Sequence, residues 1–195
     1  MLYTGTQVNQ LNHIFFCIVA PIIHYAKLEN QEHKYLRYLR LASLKEMPKR
    51  YVASLRKIIP DYQSEGMLWE QLMSETAPLN MQIANPADAI AIFHDEGFKE
   101  SDVDVEIQMT VNGNYTDTEN VVFKTVEPIQ MISVTFKGGY EQTPDVSEAI
   151  ANWAKDHDSQ YEFGGAMFNI YPVSPAMEKN PENWVTEACC PVKKK

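Results

Sequence analysis

From Leu44 onward the chain states one pattern twice, and that repetition limits what it can fold into more than any other feature. The first half opens with Lys45-Glu46-Met47-Pro48-Lys49-Arg50-Tyr51-Val52-Ala53-Ser54-Leu55, and the second with Lys124-Thr125-Val126-Glu127-Pro128-Ile129-Gln130-Met131-Ile132-Ser133-Val134. Each reads as a short strand, a proline corner and a longer β-rich strand, with the two prolines 80 positions apart. Each half then carries a tyrosine in a turn before a helix. Pro60-Asp61-Tyr62 precedes Met67–Met73, and Gly138-Gly139-Tyr140 precedes Thr143-Pro144-Asp145, a helix start with proline in the first turn. The two tyrosines lie 78 apart, and Val146, Ala149, Ile150, Trp153 and Ala154 follow the second at helical spacing. Two more strands close each half: Ala89–Phe93 with Val103–Val111, then Ala166–Tyr171 with Trp184–Val192. Aligning Glu106 with Glu187, 81 positions on, also brings Val111 onto Val192. The expectation is an α+β fold: a tandem β-α-β-β duplication, repeats about 44–111 and 121–192, forming an antiparallel sheet with a ligand groove between the halves.

Composition narrows the function. Of 195 residues, 45% are hydrophobic, enough for one core shared by two half-domains. The net charge is −9, yet residues 1–40 are slightly basic (Lys27, Lys34, Arg37 and Arg40 against Glu29 and Glu32), so the acidity lies in the repeated body. Such a surface repels phosphate backbones and favours cationic ligands, so direct nucleic-acid binding by this chain alone is not expected. Cys17, Cys189 and Cys190 have no metal or redox spacing and read as free thiols in a reducing cytoplasm. The histidines at 13, 24, 33, 94 and 157 are scattered, so no metal and no cofactor is expected. Ile14–Ile23 is an apolar run of about ten residues, against roughly 20 for a spanning helix; Pro21 interrupts it and no Lys or Arg precedes it. It reads as a buried or partner-covered segment, not a membrane anchor. Asn30–Arg40 reads as a short basic helix or linker, which sets 1–43 apart from a domain at 44–195.

The candidate site residues are acids and rings. On Val103–Val111 the apolar residues face one way, while Asp104, Glu106, Gln108 and Thr110 face the other, compatible with an exposed polar face. Glu187 differs, because its neighbours Val185, Ala188, Cys189, Cys190, Pro191 and Val192 are apolar or weakly polar. A half-buried carboxylate there needs a cation, a donor or a salt-bridge partner. Tyr62, Trp69, Phe93, Tyr140, Trp153, Phe168, Tyr171 and Trp184 recur beside the repeated elements. They are core residues or the walls of a receptor for lipophilic cations, where ring quadrupoles add to the carboxylate charge. Tyr140 and Tyr171 are the best placed of them, with Phe168, Trp153, Trp69, Phe93 and Glu106 as further candidates. There is no GxSxG, P-loop or GxGxxG, so an enzyme would rely on carboxylate acid–base chemistry with tyrosine help; the balance is against an enzyme.

Phe136-Lys137-Gly138-Gly139-Tyr140-Glu141, the helix with Trp153, the strand ending in Tyr171, then Asn180-Pro181-Glu182 and Thr186-Glu187-Ala188-Cys189-Cys190-Pro191-Val192 resemble the GyrI-like effector-binding domain. The resemblance runs from Leu44 to Val192 and includes the Met47-Pro48 corner. It implies two fused β-α-β-β repeats around a groove that senses amphipathic or cationic small molecules, as in MerR-like and AraC-like transcription regulators of bacteria. It also implies that Glu187, on the closing strand, accepts the cation in a multidrug-sensing member. Stand-alone relatives neutralise a gyrase toxin, and others hydrolyse electrophilic natural products with glutamate and tyrosine; both remain alternatives. The departures are Gly139, where proline is frequent, and the Cys189-Cys190 pair, where bulkier residues are frequent. Residues 1–43 carry no turn-helix reader, so the expectation is a sensor module without its own DNA-binding domain; a homodimer is allowed for.

Overall fold

Pro48 and Pro128 each stop one strand and turn the chain into the next. In the computed structural model, which describes residues 37–157 and 160–195, they separate β1 (Ser43–Met47) from β2 (Arg50–Ile59) and β6 (Val122–Val126) from β7 (Ile129–Lys137). After β2 come α1 (Glu65–Thr76), β3 (Gln82–Ile83), β4 (Ala89–Phe93) and β5 (Val103–Asn112). After β7 come α2 (Thr143–Asp156), β8 (Tyr161–Phe163), β9 (Phe168–Val173) and β10 (Val185–Lys194). Residues 37–41 are also helical. The apolar segment Ile14–Ile23, most of Asn30–Arg40, Cys17 and three of the five histidines lie outside the described residues.

The strands form an antiparallel sheet in the order β1-β7-β10-β9-β4-β5-β2-β6, so the fold is α+β. Each half contributes a strand–helix–strand–strand unit, and the units meet where β4 pairs with β9. That junction centres on Ala91 opposite Asn169, with Ile90 facing Ile170 and Ile92 facing Phe168, the register of a local two-fold. Across it Ala91 pairs with Ile107 and Asn169 with Ala188, so Glu106 and Glu187 occupy equivalent positions. The leading strands cross over: β1 of the first half pairs with β7 of the second, and β6 pairs with β2. Each half thus supplies the outermost strand of the other. The short strands β3 and β8, absent from the sequence expectation, pair with β5 and β10.

Strand alternation decides the two faces. On the helix face, Ala53, Leu55, Val105 and Ile107 pack under Leu68 and Leu72 of α1, which recur at helical spacing. Ile132, Val134, Ala188 and Cys190 pack in the same way under Val146, Ala149 and Ile150 of α2. Tyr171 of the second half belongs to the first half's core, so the cores interlock at the seam. The opposite face holds a smaller cluster of Met47, Ile90, Met131, Phe168, Ile170 and Cys189. Pro191 is tolerated within β10 because it falls between the last β9 pairing, at Cys189, and the first β8 pairing, at Val192.

Candidate functional site

Asp61 starts the turn before α1 by accepting hydrogen bonds from the Ser64 amide (2.9 Å) and hydroxyl (2.8 Å), which leaves Glu65 as the first residue of the helix. There Glu65 reaches across the seam. Its Oε1 accepts from the Trp69 indole at 2.9 Å, one turn along the helix, and its Oε2 accepts from the Tyr171 hydroxyl at 3.0 Å, on β9 of the other half. The Tyr140 ring lies 6.0 Å from that of Tyr171, edge to face, and 5.1 Å from that of Trp184. Gly138, at φ +115, makes the turn that presents Tyr140, and its amide donates to the Trp184 carbonyl at 3.0 Å. The Trp184 indole in turn donates to the Glu178 carbonyl at 2.7 Å. One carboxyl group and four aromatic side chains from both halves therefore converge, with Tyr140, 38% exposed, as the outermost ring.

Burial raises the pKa of the Glu65 carboxyl above its ordinary value, and the Trp69 and Tyr171 hydrogen bonds offset only part of that. Burial and the neighbouring Glu65 push Tyr140 up to about 12 and raise Tyr171 well above its ordinary value, so both remain neutral donors. A carboxyl group of this kind gains from a cation that lacks its own hydrogen-bonding needs, because ring faces and charge act together where water is scarce. No three His, Cys, Asp or Glu side chains among the described residues are grouped to hold a metal ion.

The structure divides the sequence candidates. Trp69, Phe93, Tyr140 and Tyr171 lie on the helix face at the seam. Glu106, Glu187 and Phe168 lie on the opposite face. Trp153 belongs to the second half's own core and stacks on His157, ring centres 3.8 Å apart. Glu187 is bound by Lys45 Nζ at 2.6 Å, the salt-bridge alternative weighed for it. Its counterpart Glu106 is held by Lys124 Nζ at 2.7 Å, and the lysines are themselves equivalent, each on a crossed-over strand. Glu106 is not on an exposed polar face: it is 5% exposed, enclosed by the side chains of Ser54, Gln108, His94 and Lys124. It accepts from Ser54 (2.7 Å), Gln108 (2.7 Å) and Lys124, and meets His94 Nε2 at 2.9 Å. Burial works against its ionisation, but these donors outweigh it and hold its pKa at about 2.

Sequence reasoning passed over Glu65. It sits in a polar stretch, Gln63-Ser64-Glu65-Gly66, and the duplication does not repeat it, since Thr143 opens α2. The usable signal was its position four residues before Trp69 at a helix start. A surface cavity of about 260 Å³ lies elsewhere, between α2 and β8, lined by Ala151, Ala154, Lys155, Tyr161 and Phe163. Glu162, Val192 and Lys195 complete its lining, so its one acid and two rings stand with two lysines, Lys155 and Lys195.

Residues 42–193 match the family described as the GyrI-like small molecule binding domain. The chain belongs to this family. The GyrI-like domain is similar to the EcmrR C-terminal domain, with a TM-score of 0.73 and 27% identity over 79% of this chain and 98% of that one. EcmrR in an EcmrR–DNA complex aligns with a TM-score of 0.74 and 24% identity, over 99% of this chain and 78% of that one. SAV2435 bound to tetraphenylphosphonium shares the fold at a TM-score of 0.52 and 12% identity, over 78% of this chain and 93% of that one. Among functionally curated proteins, none is similar enough in sequence to count as a relative. No helix among the described residues of this GyrI-like chain is long and apolar enough to cross a membrane.

Proposed function

We propose that this GyrI-like domain is an effector-binding module that takes amphipathic cations at Glu65, within the rings of Trp69, Tyr140, Tyr171 and Trp184. The observation that carries this reading is a carboxyl group with both oxygens engaged by ring-bearing donors, Trp69 and Tyr171, at the junction of the two halves. Those donors order the carboxylate but leave its charge uncompensated, unlike Glu106 and Glu187, which lysines neutralise. A quaternary or delocalised cation needs charge and ring faces, not a fork of acceptors. The tetraphenylphosphonium bound to SAV2435 is a cation of this class on the same fold. The likeness to EcmrR supports a role in transcription regulation, with DNA contacted by parts other than this domain. Glu187 and Phe168 take no part in this assignment, because they face the other side of the sheet.

The test is quenching of tryptophan fluorescence by tetraphenylphosphonium in wild type, Glu65→Gln and Glu187→Gln. The reading expects Glu65→Gln to weaken binding at least ten-fold and Glu187→Gln to change it less than two-fold; the reverse order overturns it. A second reading, hydrolysis of electrophilic small molecules, has one observation in its favour. The Glu65 carboxyl with its raised pKa is hydrogen-bonded to a tyrosine hydroxyl at 3.0 Å, a workable acid–base pair. Substrate loss over time at catalytic protein concentration, abolished by Glu65→Gln, would establish it in place of simple binding.

A further inference from the structure

The local two-fold that relates β4 to β9 gives the Glu65 site a counterpart at the other end of the seam. Tyr62 opens the short turn before α1 as Tyr140 opens the one before α2, and Phe93 on β4 stands where Tyr171 stands on β9. The counterparts of Glu65 and Trp69, however, are Thr143 and Ser147, the first and fifth residues of α2. The rings have been kept at this end and the acid and the indole have not.

The third ring is kept in kind. At the Glu65 end Trp184 comes from the segment before the last strand of its half; at this end Phe98 comes from the segment before β5. Tyr62 lies nearly parallel to Phe98, ring centres 5.7 Å apart at 19°, and edge-on to Phe93 at 5.8 Å and 61°. Phe98 is 81% exposed, an unusual position for a phenylalanine that has a stacking partner beneath it. Its outer face continues a stack that has no next member among the described contacts. Beside the rings, Lys99 binds Asp95 at 2.5 Å and Arg56 of β2 binds Asp104 at 2.6 Å, while Glu96 and Glu100 of the loop are exposed to water.

We propose that Tyr62, Phe93 and Phe98 form a second binding site, for an uncharged planar aromatic molecule, separate from the cation site at Glu65. The free face of Phe98 supplies the stacking surface, and the Tyr62 hydroxyl, which the Lys99 amide approaches only at 3.4 Å, is available to a polar substituent. With Thr143 and Ser147 in place of Glu65 and Trp69, no buried carboxylate stands among these rings; Glu96 and Glu100, on either side of Phe98, are exposed, where water screens their charge.

The test uses 2-naphthol as the neutral probe and tetraphenylphosphonium as the cationic one, followed by aromatic NMR shifts of the full chain. The proposal expects 2-naphthol to shift Tyr62 and Phe98 with a submillimolar midpoint, weakened at least five-fold by Phe98→Ala, a surface change that leaves the fold intact. Glu65→Gln should leave the 2-naphthol midpoint unchanged, and saturating tetraphenylphosphonium should not displace it. No binding by 2-naphthol, an unchanged midpoint in Phe98→Ala, or displacement by the cation overturns the second site. Loss of tetraphenylphosphonium binding alone would count against the Glu65 reading and leave this one standing.

Discussion

The Tyr171 hydroxyl donates to Glu65 Oε2 at 3.0 Å, and the two residues belong to different halves of the duplicated chain. Neither half builds the site alone. The hydrogen bond also lowers the pKa of a carboxyl that burial has raised, and so keeps more of it ionised. Tyr171→Phe keeps the ring but removes that donor, which is worth about 1 kcal/mol or roughly five-fold in affinity. The expected outcome is weaker tetraphenylphosphonium binding at neutral pH, and a pH profile whose acidic limb moves to higher pH. Titration of binding against pH checks both.

Glu65 also leaves a signature in stability. Its folded-state pKa lies above the ordinary value of 4.5, so between those two values the folded chain holds a proton that the unfolded chain has released. Stability contributed at this position is present below pH 4.5 and falls as pH rises through the folded pKa. Glu65→Gln removes the dependence, so the variant should gain on wild type from pH 4 to neutrality. Urea midpoints across that range measure the gain.

The two carboxylates on the other face should behave unequally despite their equivalent positions. Glu106 has a folded pKa of about 2, so its contribution is full above pH 4.5 and is lost as pH falls toward 2. Glu106→Gln leaves several donors without their anion and should cost about 2 kcal/mol. Glu187→Gln should cost less than about 1 kcal/mol, because its partner Lys45 is 45% exposed and water replaces the pair. Chemical denaturation of the two variants side by side tests the asymmetry.

Glu75, near the end of α1, ties down the connection between the halves. It accepts from the Thr118 hydroxyl at 2.7 Å and from the Asn120 amide and side chain at 3.1 and 2.7 Å. Hydrogen bonds from Thr118 and Gln71 lead in lowering its pKa to about 2, so the tie survives mild acid. Glu75→Ala should speed amide exchange at Asn120 and Val121 by an order of magnitude or more and leave α2 unchanged.

The duplication was legible because proline corners, tyrosine turns and strand alternation are local signals, and their near-constant offsets fixed the equivalence of Glu106 and Glu187. The crossing of β1 and β6 to the opposite halves was not, since a short strand carries no mark of which neighbour it will join. The burial of Glu106 escaped for a related reason: alternation separates two faces but does not say whether the polar one is covered. Glu187 stood out because its strand is apolar, yet Lys45, 142 positions away in the chain, neutralises it. Glu65 was passed over because it borders an element, where polar residues have many ordinary roles; Trp184 was named among the recurring rings but not singled out, because it too stands at the edge of a strand.

If Glu65 is the cation receptor, a bound cation must favour its ionised form and expel the proton that burial retains. Calorimetric titration of the full chain with tetraphenylphosphonium, at mildly acidic pH in buffers of different ionisation heat, counts that proton. The account predicts net proton release by wild type and none by Glu65→Gln, with binding at least ten-fold weaker in the variant. Equal proton counts and equal affinities in the two proteins would contradict it.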